Sequence, residues 1–300
     1  MTDPPREPQL VLDEVRTQAL AGDPALALRV LADSPAARRE PDAAWLAGVA
    51  LGALGRYAPA AERLTGASAA TARRAPRCQA TVASVYRQVG MHGRAREWDL
   101  RAARGACFAS DRVALFDARL GLAADAVGSG DLRTARSHLH GAAAVLPRGS
   151  GGDWARDHWP RERVRMSWVR CEVGLLASDL ATAAAAAESA VDACEGVSPR
   201  HLSKSLMFRG VAVARPHDGL DDLRRAMRIA SEVGAVPLVW PTGLLLARHS
   251  PDPDERARAQ RSAADAYRAI GAYLTPEMAA VWWRAPAALE LGLEQRQDVP

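Results

Sequence analysis

Apolar and polar residues follow a helical period along most of this chain, and the pattern is cut at regular places by a small residue. The segment LGALGRYAPAAERL, residues 51–64, shows one such break at Gly55, with an amphipathic segment of three to four turns on each side. Glycine ends a helix without the steric penalty that a Cβ atom would meet there. The pattern predicts a helix, a tight turn and a second helix.

The same break recurs along the chain, which indicates a repeat. The turn residues are Gly22, Gly55, Gly90, Gly130 and Ser178, with a weaker sixth copy in which Leu220 matches the position of Tyr57. The fifth residue after each turn is small in five copies and leucine in the sixth: Ala27, Ala60, Ala95, Ala135, Ala183 and Leu223. Small residues also lie seven positions before the turn, at Gly48, Ala83, Ala123 and Cys171, and eight before it in the weaker copy, at Gly210. Others lie twelve after the turn, at Ser34, Ala67, Ala102, Ala142, Ala190 and Ala230. We expect these positions to let neighbouring helices approach closely.

This unit resembles the tetratricopeptide repeat over roughly residues 8–235. That family has a small residue at position eight, a large apolar residue at eleven, glycine at fifteen and alanine at twenty and twenty-seven. One copy reproduces all five, as Gly48, Leu51, Gly55, Ala60 and Ala67. The spacing of turns departs from the family, because it grows from 33 and 35 residues to 40 and then 48. The resemblance implies an all-α fold, a right-handed superhelical solenoid of antiparallel helix–turn–helix repeats.

The domain organisation follows from where the repeat begins and fades. We expect a disordered N-terminus over 1–7 and a single solenoid of about six repeats within 8–291, followed by a tail over 292–300. The sequence PRGSGGD predicts a flexible loop at 147–153.

A degenerate capping region is expected at 236–291. Asp252 and Glu255 form a capping-box arrangement that starts a helix ending near Ile270. A further helix carries Trp282 and Trp283, which point about 100° apart. This helix pair either covers the end of the solenoid or contributes to self-association, and covering is favoured because solenoid ends need a cap.

Composition agrees with a helical chain. Hydrophobic residues make up 48% of it and aromatic residues only 5%, so alanine supplies much of the core. The net charge of +4 is carried by arginine, since Lys204 is the one lysine. This charge is mild, and it disfavours nucleic-acid binding unless the arginines are concentrated on one face. No signal-like segment or run of 18 apolar residues is present, which predicts a cytoplasmic protein with no membrane contact.

Motifs for chemistry are missing from the sequence. The four cysteines have no metal-ligand spacing, and no HExxH, Walker or GxSxG pattern occurs. We therefore expect no catalytic residues, no metal and no cofactor, and we expect that the protein is not an enzyme.

In tetratricopeptide arrays, defined positions of the first helix of each repeat line a concave groove. Carried onto this sequence, those positions give Arg16, Trp45, Ser84, Asp117 and Leu120, together with the partner-binding candidates Arg77, Arg87, Gln88, Arg165, Trp168, Glu172, Lys204, Met207 and Arg215. Arg165 and Lys204 occupy equivalent positions of neighbouring repeats, as do Trp168 and Met207. This predicts an apolar floor with a cationic border, suited to an acidic and hydrophobic peptide.

Three functions fit these observations. The first is a non-catalytic scaffold or adaptor that binds a protein or peptide segment in its groove. The second is a regulatory sensor, similar to the helical-repeat parts of large bacterial transcriptional regulators. The third, disfavoured by the mild charge, is a nucleic-acid binder that uses its surface arginines.

Overall fold

The computed structural model describes residues 8–70, 74–146, 153–194, 198–213 and 216–293, and for residues 153–160, 216 and 217 it describes the backbone alone. Across these ranges the chain forms α-helices and two short 3₁₀ turns, and no strand. The first eight helices are α1 (Pro8–Leu20), α2 (Pro24–Asp33), α3 (Pro41–Ala53), α4 (Tyr57–Ala70), α5 (Ala75–Gln88), α6 (His92–Ala109), α7 (Arg112–Gly128) and α8 (Leu132–Ala143). The second eight are α9 (Asp153–Leu176), α10 (Leu180–Cys194), α11 (Pro199–Val211), α12 (Leu220–Glu232), α13 (Val236–His249), α14 (Pro253–Gly271), α15 (Pro276–Trp282) and α16 (Pro286–Glu290).

Consecutive helices pack in pairs, and the pairs stack into a solenoid. Each odd-numbered helix from α1 to α11 packs against the even-numbered helix that follows it and against the next odd-numbered helix. The pair α13 and α14 continues this arrangement into the region where the sequence repeat fades. The all-α solenoid expected from the sequence is therefore observed. Within the described residues, no helix combines the length and the apolar character that crossing a membrane requires.

The turns between paired helices use the predicted residues. Gly55, Gly90 and Gly130 have φ angles of 76°, 84° and 74°, and Ser178 takes the same left-handed conformation with φ 56°. Gly22 does not take the left-handed conformation. There the side chain of Asp23 caps α2 by accepting hydrogen bonds from the backbone nitrogens of Ala25 and Leu26. The residues predicted as a disordered N-terminus, and the loop near 147–153 apart from Asp153, lie outside the described residues.

Small side chains lie where neighbouring helices touch. The residues at the fifth position after each turn are all 0% exposed: Ala27, Ala60, Ala95, Ala135, Ala183 and Leu223. The approach is close between α9 and α10, where a Cβ atom added to Gly174 would lie 2.8 Å from the backbone nitrogen of Ala183. At the five alanine positions, a larger residue would force the helix pair apart.

The C-terminal helices pack back onto the first repeats. The backbone nitrogen of Ala58 donates a hydrogen bond to the carbonyl oxygen of Tyr273 at 2.9 Å. Tyr57 in α4 and Ile270 in α14 belong to one continuous apolar core. The solenoid therefore curves far enough for its last helices to contact its second repeat.

Trp282 and Trp283 have different environments. Trp282 is 2% exposed and stacks on Tyr267, with ring centroids 4.0 Å apart. Trp283 is partly buried against the same core and covers Gly271. Because Trp282 lies inside the chain's own core, the expected self-association surface does not include it, and Trp283 is the member of the pair that keeps some exposure.

A first prediction tests the close approach of α9 and α10. Ala183→Leu inserts three carbon atoms into a packed interface, so we expect the free energy of unfolding to fall by about 1–3 kcal/mol. Ala185 lies two residues away in the same helix and is exposed. Ala185→Leu should therefore change the free energy of unfolding by no more than about 0.5 kcal/mol. Urea denaturation followed by circular dichroism measures both values, and equal effects would contradict the packing described.

A second prediction tests the contact between the two ends. Gly55→Ala and Gly130→Ala both place a side chain in the left-handed region, which costs about 1–2 kcal/mol. A Cβ atom at Gly55 would also lie 2.8 Å from Cγ1 of Ile270, whereas nothing lies within 4 Å of one at Gly130. We expect Gly55→Ala to lower the melting temperature further than Gly130→Ala, and identical shifts would mean that α14 does not rest on this turn in solution.

Candidate functional site

A cavity of about 220 Å³ lies on the inner face of the solenoid, between the odd-numbered helices and the end of α10. Its apolar wall includes Leu20, Trp45, Val113, Val164, Ala193 and Cys194. Its polar wall includes Arg16, Arg77, Asp117, Arg161, Ser198 and His201. Four of the groove positions taken from the repeat pattern, Arg16, Trp45, Arg77 and Asp117, are thus brought to one cavity.

One side of the cavity is closed by contacts between α1 and α11. Arg200 donates hydrogen bonds from Nη2 to the carbonyl oxygens of Ala19 and Leu20, at 3.0 and 2.7 Å. The hydroxyl of Ser198 lies 3.0 Å from the carbonyl oxygen of Ala21. These carbonyls have no partner within their own helix, and the end of a helix carries partial negative charge, so a guanidinium is favoured there. Burial lowers the pKa of Arg200 to about 10.

The tryptophan of the cavity is held by its neighbours. The indole nitrogen of Trp45 donates to Oγ1 of Thr81 at 3.1 Å, and the Arg77 guanidinium lies 5.8 Å from the centre of its ring. Arg77 in turn donates from Nε to Oδ2 of Asp111 at 2.7 Å. Asp111 also caps α7 by accepting from the backbone nitrogen of Ala114. The aromatic surface is therefore pre-positioned.

Arginines near the cavity are compensated by carboxylates. Asp117 pairs with both Arg161 and Arg165, and Arg161 also contacts the fully buried Glu162 at 2.5 Å. Burial alone would raise the pKa of Asp117, but the two guanidiniums hold it below its ordinary value. The predicted cationic border is thus neutralised at Arg165 and, through Asp111, at Arg77.

A second group of side chains lies beside the cavity along α9 and α11, next to the lining residue His201. Trp168 stacks on His201, with centroids 5.4 Å apart, and donates from its indole nitrogen to Ser205 at 2.9 Å. Lys204 places Nζ 4.6 Å from the centre of the Trp168 ring and 5.6 Å from that of Phe208. Burial, and then the nearby Arg200, hold the pKa of His201 well below its ordinary value, so its imidazole is neutral at pH 7.

The charges of Lys204 and Glu172 shift each other's pKa, although the two side chains form no ion pair. Burial lowers the pKa of Lys204 and raises that of Glu172, and each is partly offset by the charge of the other. Within the described part of the chain, Lys204 has no carboxylate within 4 Å, unlike Arg77 and Arg165. Its ammonium group lies over the rings of Trp168 and Phe208 and not beside a carboxylate.

The remaining candidates occupy other environments. Arg87 is largely buried and pairs with Asp99 and Asp125, joining α5, α6 and α7. Gln88 is exposed, and Met207 packs partly buried between α9, α11 and α12. Leu120 belongs to the core, and Arg215 lies outside the described residues.

Several lining residues were missed by the repeat pattern. Arg161 and Val164 precede the groove position assigned to α9, and Ser198 and His201 lie at the beginning of α11. The sequence Ser198-Pro199 does signal a helix start, because serine caps helices and proline favours the first turn. Among the described residues, no group of three or more metal-ligating side chains forms a metal site.

A third prediction separates Arg87 from its neighbour Gln88. Arg87→Met would leave two buried carboxylates without their partner, which costs about 3–5 kcal/mol of stability. Gln88→Ala removes only an exposed side chain, and its effect should stay within about 0.5 kcal/mol. Thermal unfolding checks both, and a stable Arg87→Met variant would show that the guanidinium is not part of the packing.

Comparison with known proteins identifies the fold. No protein-family model and no curated protein matches the sequence. The Rap conjugation gene regulator of plasmid pLS20, solved in complex with the Phr* peptide, superposes with a TM-score of 0.59 at 15% identity, covering 89% of this chain and 73% of that one. A Rap protein complexed with Competence and Sporulation Factor gives a TM-score of 0.63 at 12% identity, covering 96% of this chain and 86% of that one. The APC/C hetero-tetramer Cut9-Hcn1 superposes with a TM-score of 0.56 at 13% identity, covering 93% of this chain and 48% of that one. The chain therefore has the α-solenoid fold of the tetratricopeptide type.

Proposed function

We propose that this protein is a non-catalytic regulatory adaptor that binds a peptide or protein segment on its concave face. The observation that carries the proposal is the cavity, which combines a fixed aromatic surface, an apolar wall and a few polar groups that point inward. Sites of this composition suit ligands that bury apolar side chains and are oriented by a small number of polar contacts. Two proteins of the same fold were solved with bound ligands, one of them a peptide.

The apolar part of the ligand would enter between Trp45 and Val164. The cavity holds about 220 Å³, which is less than one turn of a helix about 10–12 Å across would occupy. An extended segment therefore fits better, with one or two side chains inserted and the backbone running towards Trp168. Affinity would come mainly from these buried anchors.

An acidic group of the ligand would approach Lys204. Arg77, Arg161 and Arg165 already have carboxylate partners, and Arg200 donates to carbonyl oxygens, so they add little attraction for a further anion. Lys204 lies over two aromatic rings and is partly buried, where the interaction between opposite charges is stronger than in open water. This keeps the expected acidic and hydrophobic character of the partner, but assigns the acidic contact to one residue.

A second candidate function is a sensor for a small ligand. The contact of Arg200 and Ser198 with the end of α1 favours it, because a ligand in the cavity would touch both the first repeat and the sixth. Occupancy would then alter how the two meet.

The fourth prediction tests peptide binding directly. A random peptide library is selected on the wild-type protein, and dissociation constants of the enriched peptides are measured by fluorescence anisotropy. Because Trp168 supplies aromatic surface and Lys204 the free charge, we expect Trp168→Ala and Lys204→Met each to weaken binding about 10-fold or more. Arg165 is a poor probe, since removing it would leave Asp117 with one partner fewer.

The matched control is Arg228→Gln, an exposed position of α12, which should bind like wild type. Circular dichroism confirms that each variant keeps its helical content. Peptides that bind all variants equally would contradict the concave site. If no peptide is enriched while small molecules raise the melting temperature of wild type alone, the sensor function is the better description.

A further inference from the structure

A group of arginines on the outer face differs from those of the cavity. Arg96, Arg101 and Arg104 of α6, together with Arg133 and Arg136 of α8, are all exposed. We call them the α6–α8 arginine face. Ala95 and Ala135 are 0% exposed and lie on the packed faces of the two helices, whereas the arginines lie on the solvent-facing sides. Both helices pack on α7.

These guanidiniums lack acidic partners within the described residues. Helix α8 contains no carboxylate, and Asp131, which precedes it, caps the helix. Helix α6 contains Asp99, which is buried and paired with Arg87, and Glu97, whose nearest cation is Arg94 at 3.9 Å. Arg133 and Arg136 act only at longer range on Asp131 and Asp179, whose pKa values they help to lower. In the part of the chain that the structure describes, the five guanidiniums therefore form no ion pair, in contrast to Arg77 or Arg165.

The two helices flank α7 and lie within electrostatic range of each other. The pKa of His138 in α8 is lowered by burial and then by Arg96 of α6 and Arg119 of α7. His140 lies exposed at the other end of α8, and Phe108, one turn beyond Arg104, is 93% exposed. The surface thus combines a band of positive charge with one exposed aromatic ring.

We infer that the α6–α8 arginine face binds the phosphate backbone of a nucleic acid. Interfaces with nucleic acid are much more positively charged than those between proteins, whose centres are depleted of charge and apolar. Here the charged side chains form the centre of the patch, and Phe108 lies at its border. Arginine donates two hydrogen bonds side by side to a phosphate, and an exposed aromatic ring can stack on an unpaired base.

This location also explains how a mild net charge is compatible with such binding. The whole chain carries only +4, but the ion pairs of the concave face neutralise many arginines locally. The excess charge is left on the outer face, where it acts on a polyanion without obstructing the cavity. The inference is independent of the proposed peptide site.

The fifth prediction uses labelled single-stranded and duplex DNA of about 20 nucleotides as probes, in fluorescence anisotropy. Wild type should bind with a dissociation constant of about 10⁻⁴–10⁻⁶ M, weakening as salt rises from about 50 to 200 mM. The triple variant Arg101→Gln, Arg104→Gln, Arg133→Gln should bind at least about 10-fold more weakly, with a salt slope reduced by about three. The two probes distinguish a single strand from a duplex as the preferred form.

The control is a second triple variant with the same loss of charge, Arg228→Gln, Arg258→Gln, Arg261→Gln, on the exposed faces of α12 and α14. It should bind DNA like wild type. Equal weakening in both triple variants would overturn the inference, because net charge alone would then explain the binding. The absence of DNA binding by wild type, or binding of polyglutamate in its place, would also overturn it and would assign the face to an acidic protein.

Discussion

Close contact between helices through small side chains is the constraint on which the rest of this structure depends. Ala60, Ala95, Ala135 and Ala183 are fully buried at equivalent positions, and each allows one helix of a pair to lie against the other. An alanine buries little apolar area, so no single residue provides much stability. Stability is distributed over many similar interfaces, as expected for a repeat array in which each unit contacts its neighbours.

Stacking of these pairs creates two faces, and the arginines behave differently on each. On the concave side, guanidiniums are partly buried and lie beside carboxylates, because a partly buried charge without a partner is costly. Asp117 and Asp111 serve this purpose around the cavity. On the outer side, water solvates the arginines of α6 and α8, and they need no internal partner. The inner face therefore suits an apolar ligand with few charges, and the outer face suits a polyanion.

The curvature of the solenoid determines the shape of its inner face. Since α11 reaches the end of α1 through Arg200 and Ser198, the inner face is a partly closed cavity and not an open groove. The contact of Tyr273 with Ala58 joins the last helices to the second repeat in the same way. A ligand bound as we propose would touch early and late repeats together.

The sequence by itself determined the helical units, because turn glycines and buried alanines recur at fixed separations that local geometry requires. The phase of the repeat also selected Arg77, Trp45 and Asp117 as residues of the inner face, and they do line one cavity. It did not reveal that Asp99 and Asp125 occupy the guanidinium of Arg87, that Trp282 is buried against Tyr267, or that His201 joins the cavity wall. Those contacts join residues of different helices, and the closure of the cavity beside His201 also depends on the small rotation between successive repeats summed over the array. No local pattern encodes that sum, so only the tertiary structure decided which charges are neutralised, which remain free and where the two ends meet.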